Sequence, residues 1–199
     1  MPLREKILHA ATQLYAETGF RGTTTRQIAE RAGVNEVTLF RHFGSKTALL
    51  HEAIQCACAR RENIGLPERP SQIREELLQW AEGTWTGLWN RRAVIRTALG
   101  ELAAHPELYP RENSAAACAG RELSRYLERV RATGLAAAEF DVLAATATLM
   151  GTLFADAMTR DILPFVYRQE PAQAIEQYVE LFLRAIGVET PSALAQERR

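Results

Sequence analysis

Apolar residues recur every three or four positions along most of this chain, which places them on one face of an α-helix. The first such run covers about residues 2–18 and ends at Gly19. The same spacing predicts later helices over about 46–64, 71–89, 92–104, 111–133, 140–160 and 172–186. The clearest break is the Gly- and Pro-rich segment 65–70. No alternation of β-branched residues between turn signals occurs, so we predict an all-α fold without sheet.

Two shorter helical segments lie between Thr24 and Lys46. The turn between them contains Gly33, which can adopt a positive φ without steric cost. Asn35 is then the expected N-cap of the second segment. On that segment Leu39 and Phe43 lie four residues apart and are expected to face inward. This pattern predicts a helix-turn-helix.

The outward side of the second segment, here called the recognition face, is unusual for a solvated helix. Arg, Thr and His side chains can contact phosphates or base edges, and Val and Phe can contact thymine methyl groups. A face with this composition is typical of a helix in the major groove of DNA. Its members are Glu36, Val37, Thr38, Phe40, Arg41 and His42.

The first fifty residues resemble the DNA-binding domain of the TetR family of transcriptional regulators. The matching motifs are Gly19-Phe20, the threonines 23–25, residues 28–34 (IAERAGV), residues 38–43 (TLFRHF) and Ser45-Lys46. The resemblance implies a three-helix N-terminal DNA-binding domain over 1–46. It also implies a helical effector-binding and dimerisation domain over 47–187, and we expect a flexible tail over 188–199.

The resemblance also assigns roles within the N-terminal domain. Phosphate contacts are implied for Thr25, Thr38, His42 and Lys46. Base contacts are implied for Arg26, Glu36, Val37, Phe40 and Arg41, with Arg26 suited to a bidentate guanine contact. The family commonly has Tyr at position 40, so Phe40 keeps the apolar contact and lacks one hydroxyl bond.

Charge is distributed unevenly although the formal net charge of the 199 residues is zero. Residues 1–50 carry seven Lys or Arg against four Glu, and the remaining chain has an acidic excess of the same size. A basic N-terminal part joined to an acidic body has the sign expected of a DNA-binding protein. No apolar run of membrane-spanning length and no secretory signal are evident, so we predict a cytoplasmic protein.

Catalytic and metal-binding motifs are missing from the sequence. The pair His51-Glu52 does not continue into His-Glu-x-x-His, and neither Gly-x-Ser-x-Gly nor a phosphate-binding glycine loop occurs. Cys56 and Cys58 point in different directions on a helix, and no histidine pair has ligand spacing. We therefore predict no enzyme, cofactor or metal site. Ordinary buried thiols and a redox-sensing thiol both remain open for the three cysteines, which include Cys118.

Aromatic residues in the C-terminal part suggest a pocket for a small hydrophobic ligand. Glu82, Trp85 and Trp89 share one helix face, and a carboxylate beside two indoles could also select a cationic ligand. Simple core packing is the alternative for each ring. Further inward candidates are Tyr109, Tyr126, Phe154 and Met158. The segment 99–108 (LGELAAHPEL) resembles a family stretch beside the pocket, which adds Glu101 and His105.

The last two long helices suggest self-association. Ala144, Ala147, Gly151 and Ala155 place small side chains on one face, which permits close helix approach. The final helix carries an apolar surface, including Tyr178 and Phe182, that looks too wide for one intramolecular contact. A four-helix interface between two copies is one interpretation, and the core of a large monomer is the other. Known relatives dimerise in this way and present two domains to a palindromic site.

Together these features predict a ligand-responsive regulator. The resemblance implies a repressor that binds a palindromic operator as a homodimer and is released by a small hydrophobic effector. A minority of relatives activate transcription, and a ligand-independent DNA-binding scaffold is the main alternative. Coupling of roughly 1–3 kcal/mol between effector and DNA would change operator affinity about 5- to 150-fold.

Overall fold

A computed structural model describes residues 1–59, 65–108, 114–137 and 139–188. Tyr109, the residues expected to extend the fourth helix to 64, and the tail after 188 lie outside the described residues. Within these ranges the secondary structure is helical, as predicted. The helices are α1 (Leu3–Gly22), α2 (Thr25–Ala32), α3 (Glu36–Phe43), α4 (Lys46–Ala59), α5 (Ile73–Asn90), α6 (Arg92–Glu101), α7 (Ala115–Ala132), α8 (Val142–Thr159) and α9 (Pro171–Ala185), with a 3₁₀ turn at Pro106–Leu108.

The chain folds into two compact units. The first contains the described residues of Met1–Arg60 and Asn90–Ala116, so α6 and the 3₁₀ turn group with α1–α4. The second contains those of Arg61–Trp89 and Ala117–Arg199, and is built on α5, α7, α8 and α9. The structural division therefore differs from the ranges 1–46 and 47–187 suggested by sequence.

The core of the first unit forms around α1, which packs against α2, α4 and α6. Large side chains from each of these helices are buried there. Removing one such aliphatic side chain from water contributes roughly 1.5–3 kcal/mol, so this core holds the short helices α2 and α3 in place. Its largest members are Ile7, Leu14, Tyr15, Ile28, Leu39, Leu49, Leu50 and Ile54.

Local signals define the ends of α2 and α3. The Thr24 hydroxyl accepts from the Gln27 amide while the Gln27 side chain accepts from the Thr24 amide, which is a capping box. Gly33 ends α2 with φ 68° and ψ 38°, as its place in the turn predicted. The Asn35 Oδ1 accepts from the Val37 amide over 2.9 Å and caps α3. The predicted helix-turn-helix is present.

The first helix departs from its predicted end at Gly19. Gly19 has non-helical angles (φ 69°, ψ −174°), yet α1 resumes and continues to Gly22. The kink is stabilised by Thr23, whose amide and hydroxyl both donate to the Gly19 carbonyl over 3.1 and 2.7 Å. Glycine at this position bends the helix and directs the chain towards α2.

The second unit has its own apolar core, and α8 packs there against α9. By length and composition α8 could cross a membrane, contrary to our expectation that no run would reach that length. In the structure its inward residues Val142, Ala145, Leu149, Leu153 and Ala157 are buried within the unit. This packing is what a core helix shows, and a core helix passes the same composition test.

Candidate nucleic-acid interface

Most of the recognition face is exposed on the first unit. Leu39 is 1% exposed and anchors α3 in the core, and Phe43 packs partly against the same core. On the opposite side Val37 is 72% exposed and Phe40 is 48% exposed. Arg41 and His42 are also exposed, while Glu36 and Thr38 are half-buried. A small helix thus presents two large apolar groups beside cationic and hydroxyl groups.

Arg26 lies on the exposed side of α2. Its side chain is 81% exposed, and its Nε donates to Glu30 Oε1 over 3.1 Å. Surface ion pairs of this kind contribute at most about 1 kcal/mol, so the guanidinium can exchange Glu30 for another partner at little cost. The position suits the guanine contact that the resemblance implies.

Thr25 and Glu36 are joined directly, because the Thr25 hydroxyl donates to the Glu36 Oε1 in a very short hydrogen bond. Thr25 is the first residue of α2 and Glu36 is the first residue of α3. The bond therefore links the beginnings of the two helices. The sequence suggested separate phosphate and base contacts for these residues and gave no sign of this link.

Lys46 begins α4, with its Nζ 4.4 Å from the centroid of the Phe20 ring. Partial burial lowers the pKa of Lys46, and the negative charge of Glu101 opposes this change. Cation–π contact with an aromatic ring holds the ammonium of a flexible side chain in place. The Phe20 ring thus positions the Lys46 ammonium on the same unit as the recognition face.

Residues 7–53 match the sequence profile described as "Bacterial regulatory proteins, tetR family". This range includes the whole helix-turn-helix and the exposed face of α3. This part of the chain is a TetR-family domain.

Curated transcriptional regulators match about half of the chain. The transcriptional regulator YvkB of Bacillus subtilis is 33% identical over 102 residues, which cover 51% of this chain and 53% of YvkB. The class D tetracycline repressor of Escherichia coli is 39% identical over 99 residues, covering 44% of this chain and 45% of the repressor. The chain therefore spans about half the length of the curated relatives that it matches.

Solved structures of bacterial regulators match most of the fold. The flavonoid-responsive regulator FrrA is 28% identical with a TM-score of 0.68, and the match covers 92% of this chain and 96% of FrrA. A TetR regulator from Agrobacterium tumefaciens has a TM-score of 0.76 at 22% identity, with 95% and 96% of the two chains covered. The second match concerns the fold alone.

The eight ligand candidates that lie in the described residues do not form one group. Glu101 and His105 lie in the first unit, together with the recognition face. Both carboxylate oxygens of Glu101 accept from the Phe20 amide, and the His105 ring lies 4.0 Å from the Phe20 ring. The segment expected beside a pocket thus contacts the end of α1, which a sequence comparison alone did not indicate.

In the second unit Trp85 and Trp89 stack, with ring centroids 5.2 Å apart and planes at 11°. Trp85 is buried and Trp89 is half-buried, while Glu82 on the same helix is exposed to solvent. Phe154 is half-buried and Met158 is buried. Tyr126 is fully buried, and its hydroxyl donates to Glu76. The indole pair is the strongest aromatic feature among these candidates.

Sequence reasoning missed a buried polar cluster around Asp156. This carboxylate accepts from Trp85 Nε1 over 2.8 Å, from the Tyr178 hydroxyl over 2.7 Å, and from two nitrogens of Arg160. Burial alone would raise the pKa of Asp156, but the hydrogen bonds outweigh burial and hold the pKa below its usual range. The sequence did contain one sign of this cluster. Asp156 is an acidic residue in an otherwise apolar helix, and Arg160 follows it four positions later.

A cavity of about 320 Å³ lies beside that cluster, between the end of α8 and the first turns of α9. None of the eight ligand candidates lines it. Most of its wall residues are polar or aromatic; the walls are formed by Arg160, Val166, Tyr167, Arg168, Gln169, Ala174 and Tyr178.

The small-residue face of α8 is open in this chain. Ala147, Gly151 and Ala155 are exposed, and a Cβ added to Gly151 would meet nothing within 4 Å. The surface of α9 differs from our expectation: Phe182 is buried within the unit, and Tyr178 is half-buried with its hydroxyl bonded to Asp156. Most of the apolar surface of α9 is thus used inside the unit, although Leu181 is 59% exposed.

The described parts of the chain contain no cluster of three or more His, Cys, Asp or Glu that could hold a metal ion. Cys56 is exposed, and Cys58 is buried, which raises the pKa of its thiol. The Cys118 sulfur accepts from Arg121 over 3.2 Å.

Proposed function

We propose that this protein is a cytoplasmic transcriptional repressor of the TetR family that binds a palindromic operator as a homodimer and is released by a small hydrophobic effector. The observation that carries the DNA-binding part is the exposure of Val37 and Phe40 beside Arg41 and His42 on a helix anchored by Leu39. Two exposed large apolar side chains on an eight-residue helix are costly in water and useful against base edges.

Phosphate contacts by Thr25, Thr38, His42 and Lys46 would fix the position of α3 and supply most of the affinity. Arg26 would read a guanine, and Val37, Phe40 and Arg41 would contact neighbouring bases. The Thr25 hydroxyl would donate to a phosphate only after releasing Glu36, whereas Glu36 keeps a second oxygen that could accept from cytosine.

Dimerisation would use the open face of α8. Ala147, Gly151 and Ala155 leave room for the backbone of a second copy, and exposed Leu143 and Leu181 would extend the contact. A two-fold arrangement would present two recognition faces to a symmetric duplex. Tyr178 and Phe182 would support this surface from inside the unit.

The effector would bind in the second unit. FrrA is described as flavonoid-responsive, and planar aromatic compounds suit the stacked Trp85 and Trp89. Phe154 and Met158 remain candidate pocket residues, with Glu82 and Tyr126 in supporting positions. TetR-family regulators are transcription factors, and we propose no catalytic activity for this chain.

Selection of duplexes from a randomised library by the purified protein tests the proposal. We expect an enriched inverted repeat, one complex containing two protein copies, and loss of that complex in the presence of an aromatic effector from a panel. An enriched repeat with no compound raising the melting temperature would instead favour a ligand-independent DNA-binding scaffold.

A further inference from the structure

Glu101 ends α6 and is tied to the end of α1. Its Oε1 and Oε2 lie 2.8 and 3.1 Å from the amide nitrogen of Phe20, 81 positions away in the chain. A hydrogen bond between an amide and a carboxylate is stronger than one between neutral groups. One side chain of α6 therefore fixes a main-chain atom at the kink of α1.

The kink is built to admit this carboxylate. A Cβ at Gly19 would lie 2.6 Å from Glu101 Oε1, a distance that real Cβ atoms do not tolerate. The positive φ of Gly19 also favours glycine over other residues. The missing Cβ and the positive φ of Gly19 thus both allow the Glu101 carboxylate to reach the Phe20 amide.

The side chain of Phe20 connects this contact to a DNA-binding candidate. The Lys46 Nζ lies 4.4 Å from the centroid of the Phe20 ring, and the His105 ring lies 4.0 Å from it. Fixing the amide of Phe20 restricts the position of its ring. The ring in turn restricts the ammonium of Lys46, which belongs to a long and otherwise mobile side chain.

We propose that Glu101 is a positioning residue for DNA binding, because it fixes Phe20 and thereby holds the Lys46 ammonium where a phosphate oxygen can meet it. The inference rests on the phosphate contact of Lys46 proposed above. It gives Glu101 a role in the first unit in place of the ligand contact that the sequence suggested.

The direction of the change in DNA affinity on replacing Glu101 distinguishes a positioning role from a purely electrostatic one. Removing a negative charge near a phosphate contact should strengthen DNA binding if charge alone mattered. Positioning predicts the reverse, because a lysine released from the Phe20 ring no longer lies where it can meet the phosphate oxygen, and that contact is lost. Glu101→Ala removes both the charge and the acceptor, whereas Glu101→Gln removes the charge and keeps one oxygen that can accept from Phe20.

The test measures affinity for a library-selected duplex over a range of salt concentrations. Each phosphate contact contributes about 0.9 to the slope of log K against log salt. We expect Lys46→Ala to lower the slope by about that amount per protomer. Glu101→Ala should lower the slope by the same amount, and combining it with Lys46→Ala should lower the slope no further. The slope of Glu101→Gln should be closer to that of the unaltered protein. Glu5→Gln, which removes an exposed carboxylate from the same unit, should leave the slope unchanged.

Phe20→Leu covers the case in which Glu101→Ala fails to fold. Leucine keeps the main-chain bond to Glu101 and most of the apolar volume but removes the ring beneath Lys46. We expect Phe20→Leu to lower the salt slope by the same amount as Lys46→Ala. Combining the two substitutions should lower the slope no further.

A merely stabilising Glu101 would lower the free energy of unfolding and leave the salt slope intact. An unchanged slope in Glu101→Ala or Phe20→Leu, or tighter binding by both Glu101 variants, overturns the inference while the phosphate role of Lys46 stands. An unchanged slope in Lys46→Ala refutes that phosphate role first, and the inference falls with it.

Discussion

The indole Nε1 of Trp85 donates to the Oδ1 of Asp156 across 2.8 Å in the interior of the second unit. Asp156 is fully buried, and Arg160, the residue directly after α8, is 9% exposed and donates to the same carboxylate. A buried ion pair of this kind is expensive to break, because its remaining partner keeps an uncompensated charge. The cluster therefore makes the stability of this unit depend on one acidic side chain.

Asp156→Ala should lower the free energy of unfolding of the second unit by about 3–5 kcal/mol, since it leaves Arg160 charged and without its main partner. Urea denaturation followed by tryptophan fluorescence measures the loss, because Trp85 reports directly on this site. Asp141→Ala is the matched control: Asp141 caps α8 through the Ala144 amide, and removing a cap costs about 1 kcal/mol. Equal losses in the two variants would contradict the account.

The stability of the second unit should also depend on pH through Asp156. Its pKa is lower in the folded chain than in the unfolded chain, so its contribution is complete above the unfolded value of about 4. That contribution is lost as the pH falls further towards the folded pKa. Asp156→Asn should remove this part of the acid dependence, which urea titrations at several pH values between about 2 and 7 would measure. The same acid dependence in both proteins would argue against the assignment.

The helix-turn-helix could be predicted because its determinants are local. Gly33, Asn35 and Leu39 lie within seven positions, and each acts on neighbours in the sequence. Trp85 and Asp156 are 71 positions apart, and the partner of Glu101 is 81 positions away. No spacing rule connects such residues, so the sequence suggested a ligand role for Glu101 and did not reveal the Asp156 cluster.

The surface of α9 shows a second limit of sequence reasoning. Helical spacing placed Tyr178 and Phe182 on an apolar surface of α9, and in this chain alone Phe182 is buried and Tyr178 is half-buried. Periodicity shows that a face is apolar but does not show how many neighbours cover it. The exposed small residues of α8 therefore became the better candidates for contact with a second copy.

Gly151→Arg should convert a dimer into monomers without unfolding the second unit. A side chain at Gly151 meets no atom within 4 Å in the single chain, whereas the proposed interface leaves no room for it. Light scattering after size-exclusion chromatography measures the mass. Gly120→Arg is the control, because Gly120 also lies in a helix of this unit with open space around it. A dimer that survives Gly151→Arg would place the interface elsewhere.

Arg26→Ala should relax the preference for one base pair in each half-site, with a loss of roughly 1–3 kcal/mol on the preferred sequence and little change on others. Competition between the selected duplex and its single-base variants measures this preference. Arg31→Ala removes an arginine from the same helix whose Nη1 is paired with Glu17 over 2.8 Å, and should leave base preference unchanged. A uniform loss across all duplexes would instead assign Arg26 to phosphate.

Operator binding by this protein requires the outward side of α3 to contact DNA. Val37→Glu tests it directly, because Val37 is 72% exposed and a carboxylate there should not disturb the fold. At low salt we expect the unaltered protein to bind the selected duplex and Val37→Glu to bind roughly 100-fold more weakly, since a like charge against the duplex costs several kcal/mol. Leu135→Glu, an equivalent change at an exposed leucine of the second unit, should bind as the unaltered protein does. Equal binding by Val37→Glu and the unaltered protein would contradict the central claim.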